Sequence, residues 1–251
     1  MPVLRRHQGP LRVLRYRVDG AGLLEEVLVH PPGGIAGGDR LEYALNLGAR
    51  SDVLVTSVGA TKWYRAGVRT AYQTLDATVE AGARLAWLPL ENILYAGARP
   101  VISTRFRLGE DATLFYADVV CLGRPACGEQ FDDGCWRQCT EMERDGRLIW
   151  LEQVHFEARS IMASSPAGLA GHPVVGTVVY AGPPLPEALH ASVRGLRVRG
   201  YASATQLPDV WVARYLGEST EDAQRWVREV RAAVHPHSHG RAVYEPRIWS
   251  T

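Results

Sequence analysis

Three clusters of small and turn-forming residues, Gly48-Ala49-Arg50, Ala81-Gly82-Ala83-Arg84 and Gly109-Glu110-Asp111-Ala112, return at intervals of about thirty residues. That rhythm constrains the fold more than any other feature of the chain. Glycine and aspartate let the backbone turn tightly, so each cluster ends one extended run and starts the next. Between the clusters the residues alternate or are β-branched, and 11–18, 23–29, 40–47, 52–57, 72–79, 84–88, 101–108 and 113–120 read as strands. The pattern predicts a mainly β fold: a layered, mostly antiparallel body. Residues 135–143 and 147–158 read as a further hairpin about Arg144-Asp145-Gly146. Two α-helices are expected, both in the C-terminal third. Residues 186–198 place Leu189, Val193 and Leu196 on one side. Residues 219–234 offer Ser219 as cap, Glu221 and Asp222 in the first turn, and Ala223, Trp226, Val227, Val230 and Val234 at helical spacing. Between them, 201–216 reads as strand, turn at Leu207-Pro208-Asp209, strand. No glycine- or serine-rich linker divides residues 1–251, so one domain is expected.

Charge excludes some partners. Lys plus Arg is 28 against 27 for Asp plus Glu, which leaves no whole-molecule field for nucleic acid or an anionic membrane. No apolar run reaches the length of a membrane span, and Met1-Pro2-Val3-Leu4-Arg5-Arg6-His7 lacks a signal core, so a cytoplasmic location is expected. Cys121, Cys127, Cys135 and Cys139 have no Cys-x-x-Cys pair among them, and they read as free thiols rather than a zinc site.

The segment His30-Pro31-Pro32-Gly33-Gly34-Ile35-Ala36-Gly37-Gly38-Asp39-Arg40 must turn sharply, with Gly33, Gly34, Gly37 and Gly38 supplying the freedom and Asp39 and Arg40 marking re-entry into a strand. It is no phosphate loop, because Asp39 stands where a lysine is required. Lys62, the only lysine, lies in Gly59-Ala60-Thr61-Lys62-Trp63-Tyr64-Arg65 and reads as an amphipathic side chain along aromatic surface. Glu91 and Asp118 are embedded in apolar runs, where a carboxylate needs a partner or water. With Glu129, they read singly as structural acids and together as oxygen ligands for a divalent cation. His235, His237 and His239 either share one side of an extended segment and bind nickel, copper or zinc, or belong to a solvated loop after the helix. No nucleophile elbow, metalloprotease pair or kinase signature is present, so no enzymatic reading has an anchor.

Taken together, the His30–Asp39 and Gly59–Arg65 segments, Trp87-Leu88-Pro89, Cys121-Leu122-Gly123-Arg124-Pro125 with Gly128-Glu129, and Pro246-Arg247-Ile248-Trp249-Ser250-Thr251 resemble the urease accessory protein UreD (UreH) family. The resemblance runs in order from Gly9 to Thr251. It implies a non-enzymatic maturation factor with a mostly β fold and two helices. Such a factor binds UreF, engages the GTPase UreG through it, and docks on urease apoprotein to deliver nickel. A urease lysine becomes carbamylated there. It also implies no tightly bound cofactor, with nickel held only transiently. The chain departs from the family at Leu90, where Gln is usual, at Ala96, where a polar residue is common, and in the variable histidine tract. Initial strands of the family, ahead of Gly9, are expected to be missing here.

Three functional readings follow. In the first, Asp39, Glu91, Asp118 and Glu129 line a hydrated internal nickel route. In the second, the chain is a metal-free adaptor that only positions UreF and UreG on urease. The third, a hydrolase with His30 and Asp39 as acid–base pair, lacks a nucleophile.

Overall fold

The computed structural model describes residues 3–14, 16–239 and 243–250, and the side chains of His239 and Ser250 fall outside that description. Two short strands, β1 (Arg12–Val13) and β2 (Arg17–Val18), lie antiparallel to β3 (Leu24–Val29). With β4 (Gly34–Ile35) and β5 (Arg40–Leu47), β3 forms a first coil. A second coil is β6 (Asp52–Ser57), β7 (Thr61–Trp63) and β8 (Ala71–Val79), and a third is β9 (Arg84–Leu88), β10 (Asn92–Leu94) and β11 (Pro100–Leu108). In the fourth, β12 (Thr113–Arg124) runs unbroken through two positions before β13 (Glu129–Gln130) and β14 (Cys135–Arg144).

Equivalent strands pair in parallel, one coil on the next. Leu24, Val53, Leu85 and Leu114 form one row, Gly34, Lys62, Ile93 and Cys121 a second, and Leu41, Gln73, Ile102 and Gln138 a third. The expected mostly antiparallel body is therefore wrong: the sheets are mixed, mostly parallel, and solenoid-like. Alternation of apolar and polar residues is the same for either direction of pairing, so the strand pattern could not discriminate. The recurrence held the answer. Its clusters are the corners between coils, and they stack, with the Arg50 N–H donating to Ala81 O at 3.1 Å and the Gly82 N–H to Glu110 O at 3.0 Å. Arg50, Gly82 and Asp111 all take positive φ there, at 59°, 65° and 54°. At the last corner Arg144 donates to the carbonyls of Gly109 and Ala112 at 3.1 and 2.9 Å.

Antiparallel additions finish the molecule. The hairpin partner β15 (Arg147–Glu157) follows β14 through a turn at Asp145 and Gly146. A short helix α1 (Ile161–Ser164), unread in the sequence, precedes β16 (Val174–Ala181), which pairs with β12. Helix α2 (Glu187–Arg194) leads to the hairpin β17 (Tyr201–Gln206) and β18 (Trp211–Gly217), and β18 pairs with β16. Helix α3 (Thr220–His239) starts where the Asp222 N–H donates to Ser219 Oγ at 3.3 Å. Ala223, Trp226, Val227, Val230 and Val234 pack from it against Trp211 and Tyr215 of β18 and residues of β12 and β16. Among the described residues the expected pair of helices is thus a set of three, and α3 runs through Pro236 into the histidine tract. Among the described residues no helix is long and apolar enough to cross a membrane.

Candidate functional site

Two apolar clusters fill the interior of the coils. One contains Trp87, Leu114, Phe106 and Met142, and the other Ile35, Trp63, Ile102 and Trp136. A band of polar residues lies between them, because on β12 and β14 the inward residues between the two clusters are not apolar. On β12, Leu114 and Tyr116 face one cluster, Val120 and Leu122 face the other, and Asp118 stands between. On β14, Trp136 and Met142 bracket Gln138 and Thr140 in the same way.

The centre of this seam is a chain of hydrogen bonds. Trp63 Nε1 donates to Asn92 Oδ1 at 3.0 Å, and Asn92 Nδ2 donates to Asp118 Oδ1 at 3.0 Å. From the other side, Trp136 Nε1 donates to Gln138 Oε1 at 2.9 Å, and Gln138 Nε2 donates to Asp118 Oδ2 at 2.7 Å. Burial raises the Asp118 pKa, while the Gln138 and Asn92 amides pull it back by favouring the carboxylate. Burial also pushes Tyr116, beside Asp118, well above the usual phenol range.

Asn92 also lines a cavity of about 390 Å³ at the glycine segment. Tyr43, Ser57, Gln73 and Trp87 line it too, together with His30, Gly33 and Lys62. Burial pushes the Tyr43 hydroxyl up to about 12 and lowers the His30 imidazole, an effect the nearby Asp39 partly counters. The glycines of this segment are a steric requirement. A Cβ on Gly34 would collide with the Tyr64 ring and one on Gly37 would stand 2.8 Å from Ala66 O, while Gly33 and Gly38 take φ of 76° and 100°. So the loop is pressed against the next coil, and Asp39 Oδ2 closes it by accepting the Ala36 N–H at 2.8 Å. Arg40 lies 4.6 Å from the Tyr72 ring.

The four acids expected on an internal route do not converge. Asp118 alone of them lies in the seam. Asp39 closes the loop, and Glu91 turns to α3, accepting from Gln224 Nε2 at 3.1 Å. Glu129 accepts the Ala96 N–H at 3.0 Å and pairs with Arg124, which lies 4.2 Å from the Tyr95 ring and holds the Glu129 pKa low. The histidine tract is helical, neither extended nor a loop. His235 is buried, His237 is exposed, and at two residues apart on a helix they point to different sides. The third member, His239, has its side chain outside the described residues. Lys62 is half-buried, and it lines the cavity rather than lying free in solvent. Among the described residues no three His, Cys, Asp or Glu side chains gather as a metal cluster.

Sequence reasoning misses the parts played by Asn92, Gln138, Trp63 and Trp136. A signal exists for Gln138. In Trp136-Arg137-Gln138-Cys139-Thr140-Glu141-Met142 the inward alternation is carried by Trp136, Gln138, Thr140 and Met142, so a polar pair occupies inward positions of a strand.

Comparison with known proteins places this arrangement in context. The family model described as UreD urease accessory protein matches residues 2–250. A relative from Pseudomonas aeruginosa, described as urease accessory protein UreD, is 44% identical over 252 residues that span all of this chain and 89% of the relative. One of the same description from Nitrosococcus oceani is 42% identical over 253 residues, covering all of this chain and 85% of its own length. A third, from Pseudomonas fluorescens, is 43% identical over 252 residues with 100% and 89% covered.

Proposed function

The chain belongs to the urease accessory protein UreD family, and from that premise we propose that it is a non-catalytic accessory protein of urease maturation. It acts in the cytoplasm with UreF and the GTPase UreG on urease apoprotein, and nickel reaches the urease active site in a GTP-dependent step. The seam carries this reading: a carboxylate between two amides, one of which lines a cavity, lies inside a chain without nucleotide or nucleophile motifs. Oxygen ligands of this kind hold nickel loosely. Loose binding suits a conduit, since a tight site would trap the ion.

The test is Asp118→Ala. Urease activated with this variant is expected to be poorer in nickel and less active, while capture of UreF, UreG and urease stays intact. Full activation would refute Asp118 as a point on the route.

A metal-free adaptor is the second reading, and exposed apolar side chains favour it. Ile161 is 80%, Met162 47% and Tyr201 67% exposed, as contact residues on a docking protein would be. Calorimetric titration of the isolated protein with nickel separates the two: no heat, with normal capture of partners, selects the adaptor.

A further inference from the structure

One corner of the solenoid carries cations that the chain does not neutralise. Arg40, Tyr72, Val101 and Arg137 stand side by side on β5, β8, β11 and β14. The residues that follow three of them, Leu41, Ile102 and Gln138, are buried in the interior, so the row itself faces outward. Just before β8 the turn from Arg65 to Arg69 projects beside this row. Arg69 lies over Gly38, whose N–H donates to Thr70 O at 3.0 Å and ties the turn to the start of β5. Arg40, Arg65, Arg69 and Arg137 are all exposed, and among the described residues none of the four forms an ion pair.

Other cations of the same sheet face are neutralised internally. Further along it, Arg105 Nη2 meets the Glu141 carboxylate at 2.7 Å, and Arg107 pairs with Asp76. The acids nearest the corner are engaged elsewhere: Asp133 pairs with Arg99 at 3.7 Å, Asp132 with Arg159 at 3.3 Å, and Asp39 accepts the Ala36 N–H. At the tip of the projecting turn stands Val68, 98% exposed. Its turn is braced from three sides. The Arg69 N–H donates to Ala66 O and the Ala66 N–H to Gly97 O, both at 3.0 Å, while Arg99 Nε donates to Gly67 O at 2.8 Å. An apolar side chain presented on a rigid turn loses little backbone freedom when a partner covers it.

We infer that this corner is a docking surface for a protein partner whose facing surface is acidic and holds an apolar recess for Val68. This rests on the reading of the chain as a partner of UreF and urease apoprotein, and it names the face that meets one of them. The arginines orient the approach, and Val68 with the Tyr72 and Val101 side chains of the row supplies apolar area to bury. Arginine suits the task, because its planar fork meets a carboxylate through two parallel hydrogen bonds. The Arg40 guanidinium is already positioned for this by the Tyr72 ring, 4.6 Å away. Nucleic acid fits the corner less well. Tyr72 is half-buried beneath Arg40, so its ring face is not open to a stacking base.

The experiment uses the full chain with purified UreF and, separately, purified urease apoprotein, and reads affinity by biolayer interferometry at about 0.1 and 0.5 M salt. Circular dichroism checks folding. Val68→Asp changes a side chain that packs against almost nothing, so it keeps the fold, and it is expected to weaken binding of one of the two partners about tenfold. Arg69→Glu/Arg137→Glu is expected to weaken the same partner about a hundredfold at the lower salt and far less at the higher. Wild-type affinity of both folded variants for both partners overturns the docking surface while leaving the accessory role in place. A loss in the arginine variant that salt does not diminish also overturns it. Polyuridylate binding that the arginine variant abolishes, with protein binding unchanged, assigns the corner to nucleic acid instead. A wild type that binds neither protein removes the accessory reading, and this inference with it.

Discussion

Asn92 can present only its N–H group to Asp118, because its oxygen is already held by the Trp63 indole at 3.0 Å. Gln138 is oriented in the same way by the Trp136 indole at 2.9 Å, and it too offers Asp118 an N–H, at 2.7 Å. Two donors that cannot accept thus fix the amides on either side, and the group between them must accept twice. A carboxylate does so with both of its oxygens and a carboxamide cannot. This is the physical reason for an acid at the centre of an otherwise apolar strand.

Asp118→Asn is therefore not a mild change. Its amide must point an N–H at a donor, and neither neighbour can turn over while its indole partner holds it. The expected loss is about 1–3 kcal/mol, read from urea unfolding. In a Trp63→Phe background Asn92 is free to reverse, so Asp118→Asn should cost less there. Additive losses in that double-mutant cycle would contradict the orientation argument.

The pH dependence of stability should carry opposite contributions from two acids. Asp118 has its folded pKa raised by burial from the ordinary 3.8, so its contribution is full below that value and is lost as pH rises through the folded pKa. Glu129 has its pKa lowered from 4.5, chiefly by the Arg124 hydrogen bond, so its contribution is present above that value and is lost as pH falls through the folded pKa. Unfolding midpoints between about pH 3 and 7 should show Asp118→Asn without the decline on the rising side and Glu129→Gln without the decline on the acid side. Profiles parallel to the wild type for both variants would mean that neither acid is placed as described.

Local structure is legible where it depends on residues close in sequence. Strands 40–47, 52–57 and 84–88 have the bounds the alternation gives, and the hairpin at Asp145-Gly146 is plain from its turn. Pairing direction is not legible, since it depends on which strand lies one coil away. Strands of two or three residues, such as Gly34–Ile35 and Asn92–Leu94, are too short to show a period at all. Helix α3 outruns its apparent end because buried Val234 and His235 keep the last turns packed despite Pro236. At the site, Asp118 stands out as a charge in an apolar run. Of its amide partners, Gln138 shows only as half of a polar pair at inward positions of β14, and Asn92, in a strand of three residues, carries no spacing signal.

The glycine segment offers a test of sterics against backbone conformation. Gly37 has ordinary φ but no room: a Cβ there would lie 2.8 Å from Ala66 O and 2.9 Å from Ala66 Cα, both of them backbone atoms that cannot step aside. Gly33 has open space but φ of 76°. Gly37→Ala should cost about 2–3 kcal/mol by overpacking, and Gly33→Ala about 1–2 kcal/mol by strain alone. Thermal unfolding in which Gly33→Ala is the worse of the two would reverse that account.

The segment near the C-terminus ties the helical layer to the coils through one side chain. Trp249 Nε1 donates to Thr56 Oγ1 at 2.9 Å, and Thr56 in turn donates to Leu88 O at 2.7 Å, so the bond reaches from the segment across β6 to β9. Over the ring, Arg228 and Arg231 of α3 lie 5.1 and 5.9 Å from its centroid. Trp249→Phe keeps the ring and the cation–π contacts but removes the N–H, and should cost about 0.5–1.5 kcal/mol. Trp249→Ala removes the ring as well and should cost about 2–4 kcal/mol, less than a fully buried tryptophan because this one is only half-buried. Hydrogen exchange then locates the damage: amides of β6 and β9 should lose protection in Trp249→Ala and keep most of it in Trp249→Phe. Equal protection in both variants would show that the segment rests on the coils without bracing them.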